Sequence, residues 1–537
     1  MKGVSGKRWI LLYRQIKPKE ETVKRFGRVF AQILANRGFE EEVELLLEPK
    51  LSKIPSYSLL PGIQEAVERI KKAIKSGERI ILYGDYDVDG ITGTSILYSV
   101  LKEAGAKVCP ILPNRQTGYG LNQRIISVFE KYGDLLITID NGTSAVEEID
   151  NSRIDTIVLD HHNIPERVPK KAILINPRFQ SKNKLLRDLS SSALSFYLAA
   201  ALVRELDLDL DVRKFLDLVS LGLLADCMPL NPLNRILSVK GLELMNYVLE
   251  GKIKKPGIRA LLETSGVKRI TSKTVYFDLA PRLNAPGRIS KPDIALRLLV
   301  EKDEKRARNL ALQLDSLNRT RRILTRKTLE EAKKKAQWEE DKNFIVVWDR
   351  GWHPGILGIV AGKLADELGK PVGVFFLGKR KAVGSLRSSE GINIYEGVSK
   401  LSHMFLKWGG HDKAMGLTLP SERIEEFKEK VNELFEEVSR EEPSIFVDYE
   451  LEPRELSSEL LALLSKLEPY GEGNPYPVFM GRVKNPRVIS RYEVEIDGVR
   501  LRVWDERLLN ALSEGKRFLY SFTGEELLLE DVEDGSS

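Results

Sequence analysis

The chain has 537 residues, 42% hydrophobic and 30% charged, with a formal net charge of +6. That balance predicts several globular domains, excludes a disordered or fibrous chain, and allows nucleic acid as a partner without requiring it. Two cysteines exclude a disulfide framework or a cysteine-built zinc site, and no run is long and apolar enough to span a bilayer.

Residues 1–55 read as a helical accessory segment, bounded by Pro49 and Pro55. Its N-terminus is too polar for a secretory signal, so a cytoplasmic protein without membrane contact is expected. From 56 to 300, apolar runs alternate with helical patterns, which predicts a doubly wound parallel α/β sheet. The run Ile80–Gly84 ends in Asp85, Asp87 and Asp89 before Gly90, and Ile91–Ala104 reads as the following helix. Val108–Leu112 reads as a strand, and Leu121–Tyr132 and Ser190–Leu206 as helices. Leu135–Ile139 ends in Asp140, and Thr156–Leu159 ends in Asp160, His161 and His162. Phe215–Ala225, a buried helix by pattern, ends at Asp226. Cys109 and Cys227 lie in apolar runs and read as small core residues.

Residues 301–340 carry little Gly or Pro and read as one long helical connector, broken near its start. A second, smaller α/β domain is expected over 341–436, with strands at Phe344–Trp348 and Pro371–Phe376 and a helix over Ile356–Leu368. Short strands over 437–537 suit a small β-barrel, followed by a fraying acidic tail from Glu525.

One Asp after a strand is ordinarily a turn former or helix cap. Several carboxylates and two adjacent histidines at the ends of parallel strands are a different matter, because those ends converge on one edge. Packed carboxylates repel one another unless a cation neutralises them. An oxygen-rich set with imidazole suits Mn²⁺, or Mg²⁺ as the alternative. A carboxylate shared by two ions would make a two-metal hydrolytic site, with ions about 3.5–4 Å apart. Metal ligation is assigned to Asp85, Asp87, Asp89, Asp140, His161 and Asp226, with Asp140, at a central strand end, as the bridge. Asp160 is expected to orient His161. His162 is assigned to a metal or to the group being hydrolysed.

Asp85–Gly90, Thr138–Gly142, Asp160–His162 and Leu224–Asp226 resemble the four motifs of the DHH phosphoesterase superfamily. Further segments resemble the RecJ family of single-strand-specific DNA exonucleases, in family order. They are Pro113–Arg115, Gly118–Gly120, Arg282–Arg288, Gly351–Gly355, Gly384–Ser388, Gly409–His411 and Gly471–Pro475. Thr117, Met415 and Tyr470 depart from the family pattern. The resemblance implies a DHH catalytic domain, a DHHA1 substrate-binding domain and a C-terminal OB-like barrel that binds nucleic acid. It also implies metal-dependent 5′-to-3′ digestion of single-stranded DNA to 5′-mononucleotides in repair and recombination. Implied partners are single-stranded DNA, a single-strand-binding protein and recombination or repair helicases.

Ser385 and Arg387 lie two residues apart in an extended segment and so share a face. Arg is suited to bidentate phosphate contact. With Arg115 they resemble the family's 5′-phosphate pocket, and His411 resembles its substrate-binding histidine. Arg288 is expected at the scissile phosphate or its neighbour. Trp352 reads as a packing residue, Tyr119 as stacking or packing, His353 as structural or near a cleft between the two α/β domains, and His403 as core. Two alternatives are weighed: a DHH phosphodiesterase acting on oligoribonucleotides or cyclic dinucleotides, and a replication scaffold without catalysis.

Overall fold

Apolar runs of five or six residues become strands because both of their faces are covered. In the computed structural model, which describes residues 1–113, 120–339, 341–389, 391–436, 443–524 and 526–535, the first sheet has five parallel strands. They are β1 (Arg79–Gly84), β2 (Lys107–Ile111), β3 (Leu135–Ile139), β4 (Asp155–Leu159) and β5 (Ala172–Ile175), in the order β2-β1-β3-β4-β5. Alternate residues of β1 feed different cores: Ile80 and Leu82 one, Ile81 and Tyr83 the other. That is the signature of a doubly wound sheet.

Helix α1 (Val88–Glu103) follows β1, and α2 (Gln123–Tyr132) follows β2. Next come α3 (Ser191–Glu205), α4 (Leu216–Ala225), α5 (Pro232–Leu249) and α6 (Pro256–Ser265). Helices α1, α3 and α4 pack on one another and carry small residues at their contacts. The connector α7 (Glu304–Ala336) is a single unbroken helix, contrary to the expected interruption, and no proline or glycine interrupts it.

The chain divides into two compact units, 1–286 with 291–315 and 445–537, and 287–290 with 316–444. The second unit holds β6 (Ile345–Asp349), α8 (Leu357–Leu368), β7 (Val372–Leu377), β8 (Lys381–Arg387), β9 (Lys407–His411) and β10 (Ala414–Pro420). Its sheet order is β9-β10-β8-β7-β6, parallel only between β6 and β7.

In the first unit, the C-terminal region forms a seven-stranded sheet. Its strands are β11 (Tyr449–Glu450), β12 (Val478–Arg482), β13 (Arg487–Ser490), β14 (Glu493–Ile496), β15 (Val499–Arg502), β16 (Arg517–Phe522) and β17 (Leu527–Val532). Their order is β11-β12-β16-β17-β15-β14-β13. Phe30, Ile33 and Leu34 of the N-terminal segment share its core. Trp9 Nε1 donates to the buried Asp531 at 2.9 Å.

Several expectations need correction. The tail from 525 does not fray over Leu527–Val532, which is strand β17, paired to β16 with a register shift opposite Leu519–Tyr520; Leu529 and Val532 are both buried. Both cysteines are exposed. Cys109 lies on the edge strand β2, and Cys227 lies on the turn after α4 with φ +51°. His403 is exposed too, because Leu401 and Met404 take the buried positions of its turn. No described helix is long and apolar enough to cross a membrane.

Candidate metal centre and phosphate-contacting residues

The acidic residues meet at the C-terminal edge of the parallel sheet. Asp85 follows β1, its N–H bonded to Ile139 O at 3.0 Å. Asp87 caps α1, accepting from Gly90 N at 3.1 Å. Asp89 lies in the first turn of α1, and its two oxygens accept the N–H groups of Ser191 (2.6 Å) and Ser192 (3.0 Å) at the start of α3. A Cβ on Gly222 would lie 2.5 Å from Asp89 Oδ1, so only glycine on α4 leaves room for that carboxylate. Asp140, just past the central strand β3, has φ +67°, a strained left-handed backbone for a non-glycine residue. Ser191 Oγ donates to its Oδ1 at 3.1 Å.

His161 Nε2 lies 3.2 Å from Asp140 Oδ1, 3.3 Å from Asp226 Oδ2 and 4.0 Å from Asp89 Oδ2. These are close approaches without hydrogen-bond geometry: both buried ring nitrogens lack a hydrogen-bond partner among the described residues. Potential ligand atoms gather in three overlapping sets: Asp85–Asp87–Asp140, Asp89–His161–Asp226 and Asp140–His161–His162. Asp140 belongs to two of them, and so does His161.

Electrostatics carry the same message. Burial, then the charges of Asp87, Asp89, Asp85 and Asp226, push the Asp140 carboxyl well above its usual range. Burial, with Asp89 and Asp87, pushes Asp226 up to about 8. Asp87 is raised by burial and by Asp89. Burial pushes His161 down, towards the neutral imidazole that can donate a lone pair. Crowded carboxylates and a desolvated imidazole with both nitrogens unsatisfied fit divalent cations.

Asp160 has a different role from the one expected. Its Oδ1 receives the His161 and His162 backbone N–H groups and stands 2.7 Å from the His162 ring Nδ1, whereas the His161 ring is not its partner. The backbone turns so that the second histidine, not the first, folds back over the carboxylate. Burial opposes its charge, but the hydrogen bond and charge of His162, with those from Thr143, hold the carboxyl well below its usual range. Burial disfavours the His162 cation, yet the bond and charge of Asp160 raise that ring to about 9.

In the second unit, Arg387 Nη1 donates to Ser385 Oγ at 2.9 Å and to Leu386 O at 2.8 Å. No carboxylate pairs with this guanidinium among the described residues. A Cβ on Gly358 would lie 2.9 Å from Arg387 Nη2 and 3.1 Å from Ser385 Oγ, so the first turn of α8 closes directly over the pair. His411, Ala414 and Arg387 are successive partners across β9, β10 and β8, so His411 and Arg387 share a face. Arg288 lies near the end of helix Ala280–Ile289, its carbonyl against Gly355. His353 caps a turn by accepting from Gly355 N at 3.0 Å, and Trp352 is buried with Nε1 donating to Glu331 at 2.8 Å. Arg115, Thr117 and Tyr119 lie outside the described residues.

Three family models match: the DHH family N-terminal domain over 79–223, the DHHA1 domain over 341–437, and the RecJ OB domain over 447–507. The single-stranded-DNA-specific exonuclease RecJ of Dickeya dadantii is 33% identical over 84% of this chain and 83% of its own length. This chain belongs to the RecJ family. The Bacillus subtilis RecJ is 34% identical over 83% of the chain, which spans 58% of that longer protein. The Thermus thermophilus RecJ structure in complex with Mn²⁺ superposes with a TM-score of 0.83 at 28% identity, covering 99% of this chain and 80% of that one. Its complex with Mg²⁺ gives 0.79 at 27% identity, over 99% and 79%.

Sequence reasoning missed the groups that hold the RecJ cluster in place: Ser191 and Ser192 under Asp89, Ser191 under Asp140, and Thr143 N donating to Asp160 at 3.0 Å. The serines carried a signal. Ser190–Ser192 before an apolar run marks a helix start, and a helix start offers free N–H groups to a carboxylate.

Proposed function

We propose that this chain digests single-stranded DNA from its 5′ end, releasing 5′-mononucleotides, with two divalent cations, Mn²⁺ or Mg²⁺, held by Asp85, Asp87, Asp89, Asp140, His161 and Asp226. The observation that carries this reading is the convergence of those groups around Asp140, which two ligand sets share. When bound, the cations would activate water and stabilise the leaving oxygen. Asp140 holds the two halves of the cluster at a common carboxylate. Asp160 fixes the His162 ring, whose cationic form suits a phosphate oxygen. Ser385, Arg387 and His411 share a sheet face and supply a hydroxyl, a guanidinium that pairs with no carboxylate among the described residues, and an imidazole for the 5′-terminal phosphate, with Arg115 and Arg288 as further phosphate contacts. Anchoring a terminus, rather than the middle of a strand, favours cutting at ends. The names and metal complexes of the RecJ relatives support this reading. A role in repair and recombination, beside a single-strand-binding protein or helicase, is part of the same proposal.

The test is digestion of single strands labelled at either end, with Mn²⁺, Mg²⁺ or chelator. A 5′ label should appear at once as mononucleotide, and a 3′ label only at the end. Early mononucleotide from the 3′ label would reverse the polarity, and turnover in chelator would remove the cations.

A further inference from the structure

A cavity of about 860 Å³ opens in the first unit, at the opposite ends of two helices that carry cluster residues. Its wall includes Lys102 and Glu103 at the C-terminal end of α1, whose N-terminal end carries Asp87 and Asp89. It also includes Lys214 and Phe215 just before α4, whose C-cap is Asp226. The 16 residues of α1 put it about 24 Å from the cation cluster. The size is in the range of small-molecule sites, about 300–1,000 Å³.

The lining has two parts. The floor is apolar: Phe215 and Ile258 are buried, and Tyr98, Leu244 and Leu299 pack half-buried against the core. The rim is basic, with six Lys or Arg side chains against three acidic ones. Arg213 is bonded to Asp211, Lys254 to Glu304, and Lys255 to the fully buried Asp217. Lys102, Lys214 and Lys302 have no ion-pair partner among the described residues. Lys214 stands 5.2 Å over the Phe215 ring; burial first, then Lys302 and Lys255, push its ammonium down, against the opposing pull of Glu103 and Asp211. The first turn of α6, Pro256–Ile258, lines the same space, and the N–H groups of Gly257 and Ile258 have no acceptor within the helix.

Three ammonium groups with no ion-pair partner among the described residues, on a rim with a basic excess around an aromatic and aliphatic floor, call for a ligand with concentrated negative charge on a flat apolar body. A lone carboxylate carries too little charge, and a bare phosphate leaves the floor uncovered. We propose that this cavity binds a nucleoside phosphate, with its phosphates against Lys102, Lys214, Lys302 and the α6 start, and its base on the Tyr98–Leu244–Leu299 floor. This site is separate from the cation cluster, and binding there does not depend on the proposed reaction.

The test is calorimetric titration of the full chain in excess chelator, which empties the cation cluster, using ATP, dAMP, adenosine and inorganic tripolyphosphate. ATP should bind saturably, at least tenfold more tightly than adenosine or tripolyphosphate. The double variant Lys214→Glu/Lys302→Glu should weaken ATP at least tenfold while leaving DNA hydrolysis with Mn²⁺ intact. Ser99→Trp, which fills the cavity without changing charge, should block binding independently. Unchanged ATP affinity in both variants would overturn the proposal. So would tripolyphosphate binding as well as ATP, or no saturable nucleotide binding at millimolar concentration.

Discussion

Stripping the cations from this protein should make its stability fall as pH rises, and Asp226→Asn should remove much of that fall. The folded Asp226 carboxyl titrates at about 8, against about 3.9 in an unfolded chain. Between those values the folded state holds more protons than the unfolded one, so stability decreases with rising pH. From pH 5.5 to 8, a span of about 2.5 pH units at about 1.4 kcal/mol each gives an upper bound of about 3.5 kcal/mol. The side chain is 31% exposed, and screening lowers that bound. His162, raised to about 9, acts in the same direction: its pairing with Asp160 stabilises fully below about 6.5 and is lost as pH rises through 9. The assay is thermal unfolding in excess chelator across that range, for wild type and Asp226→Asn. The wild-type midpoint should drop by roughly 3–6 °C more than the variant's. Saturating Mn²⁺ should then restore the wild type at pH 8 and help the variant less, since the cation displaces the proton that asparagine never carries. Parallel curves for the two proteins in chelator would refute the reasoning, because the carboxylates would then not be strained by one another.

Asp140→Ala should abolish DNA hydrolysis at saturating Mn²⁺, and near-normal turnover would remove it from the centre of the cluster. Arg387→Ala should cost about 1.5–3 kcal/mol of preference for a 5′-phosphate over a 5′-hydroxyl; equal discrimination by both proteins, measured as kcat/KM on the two substrates, would place the pocket elsewhere. Arg235 is 1% exposed and donates to the carbonyls of Lys466, Leu467 and Glu468. Arg235→Met should therefore destabilise the first unit by about 3 kcal/mol by leaving buried acceptors unpaired, read as a shift in denaturant midpoint. An unchanged midpoint would mean that water replaces the guanidinium.

The parallel sheet and its acidic edge were legible because buried strands are nearly pure apolar runs and the ligands sit where those runs stop. Asp85, Asp140 and Asp160 each follow such a run within one residue. The supporting serines were harder to see, since a hydroxyl residue at a helix start looks the same whether it caps the helix or holds a carboxylate. That Asp160 holds the His162 ring and not the His161 ring could not be read at all. Two adjacent residues differ only by a backbone turn, which is set by the Asp160 hydrogen bonds in three dimensions. The acidic tail misled for a related reason: Glu530 and Asp531 read as solvated charge, but Asp531 is buried under Trp9, a residue 522 positions away in the chain.

That long-range partnership has a price in folding order. Phe30, Ile33 and Leu34 are buried with Phe479, Phe518 and Tyr520, which leave the ribosome about 450–490 residues later. At about 5–20 residues per second, the helix Arg28–Asn36 that carries them waits on the order of half a minute to a minute and a half with its apolar stripe bare. During that interval it is a ready target for chaperones or for its own neighbours on a polysome. A nonsense or frameshift lesion before the codon of Phe479 would leave the same stripe uncovered for good. Such truncations should therefore be cleared as misfolded chains, even though every proposed cation ligand has already been made.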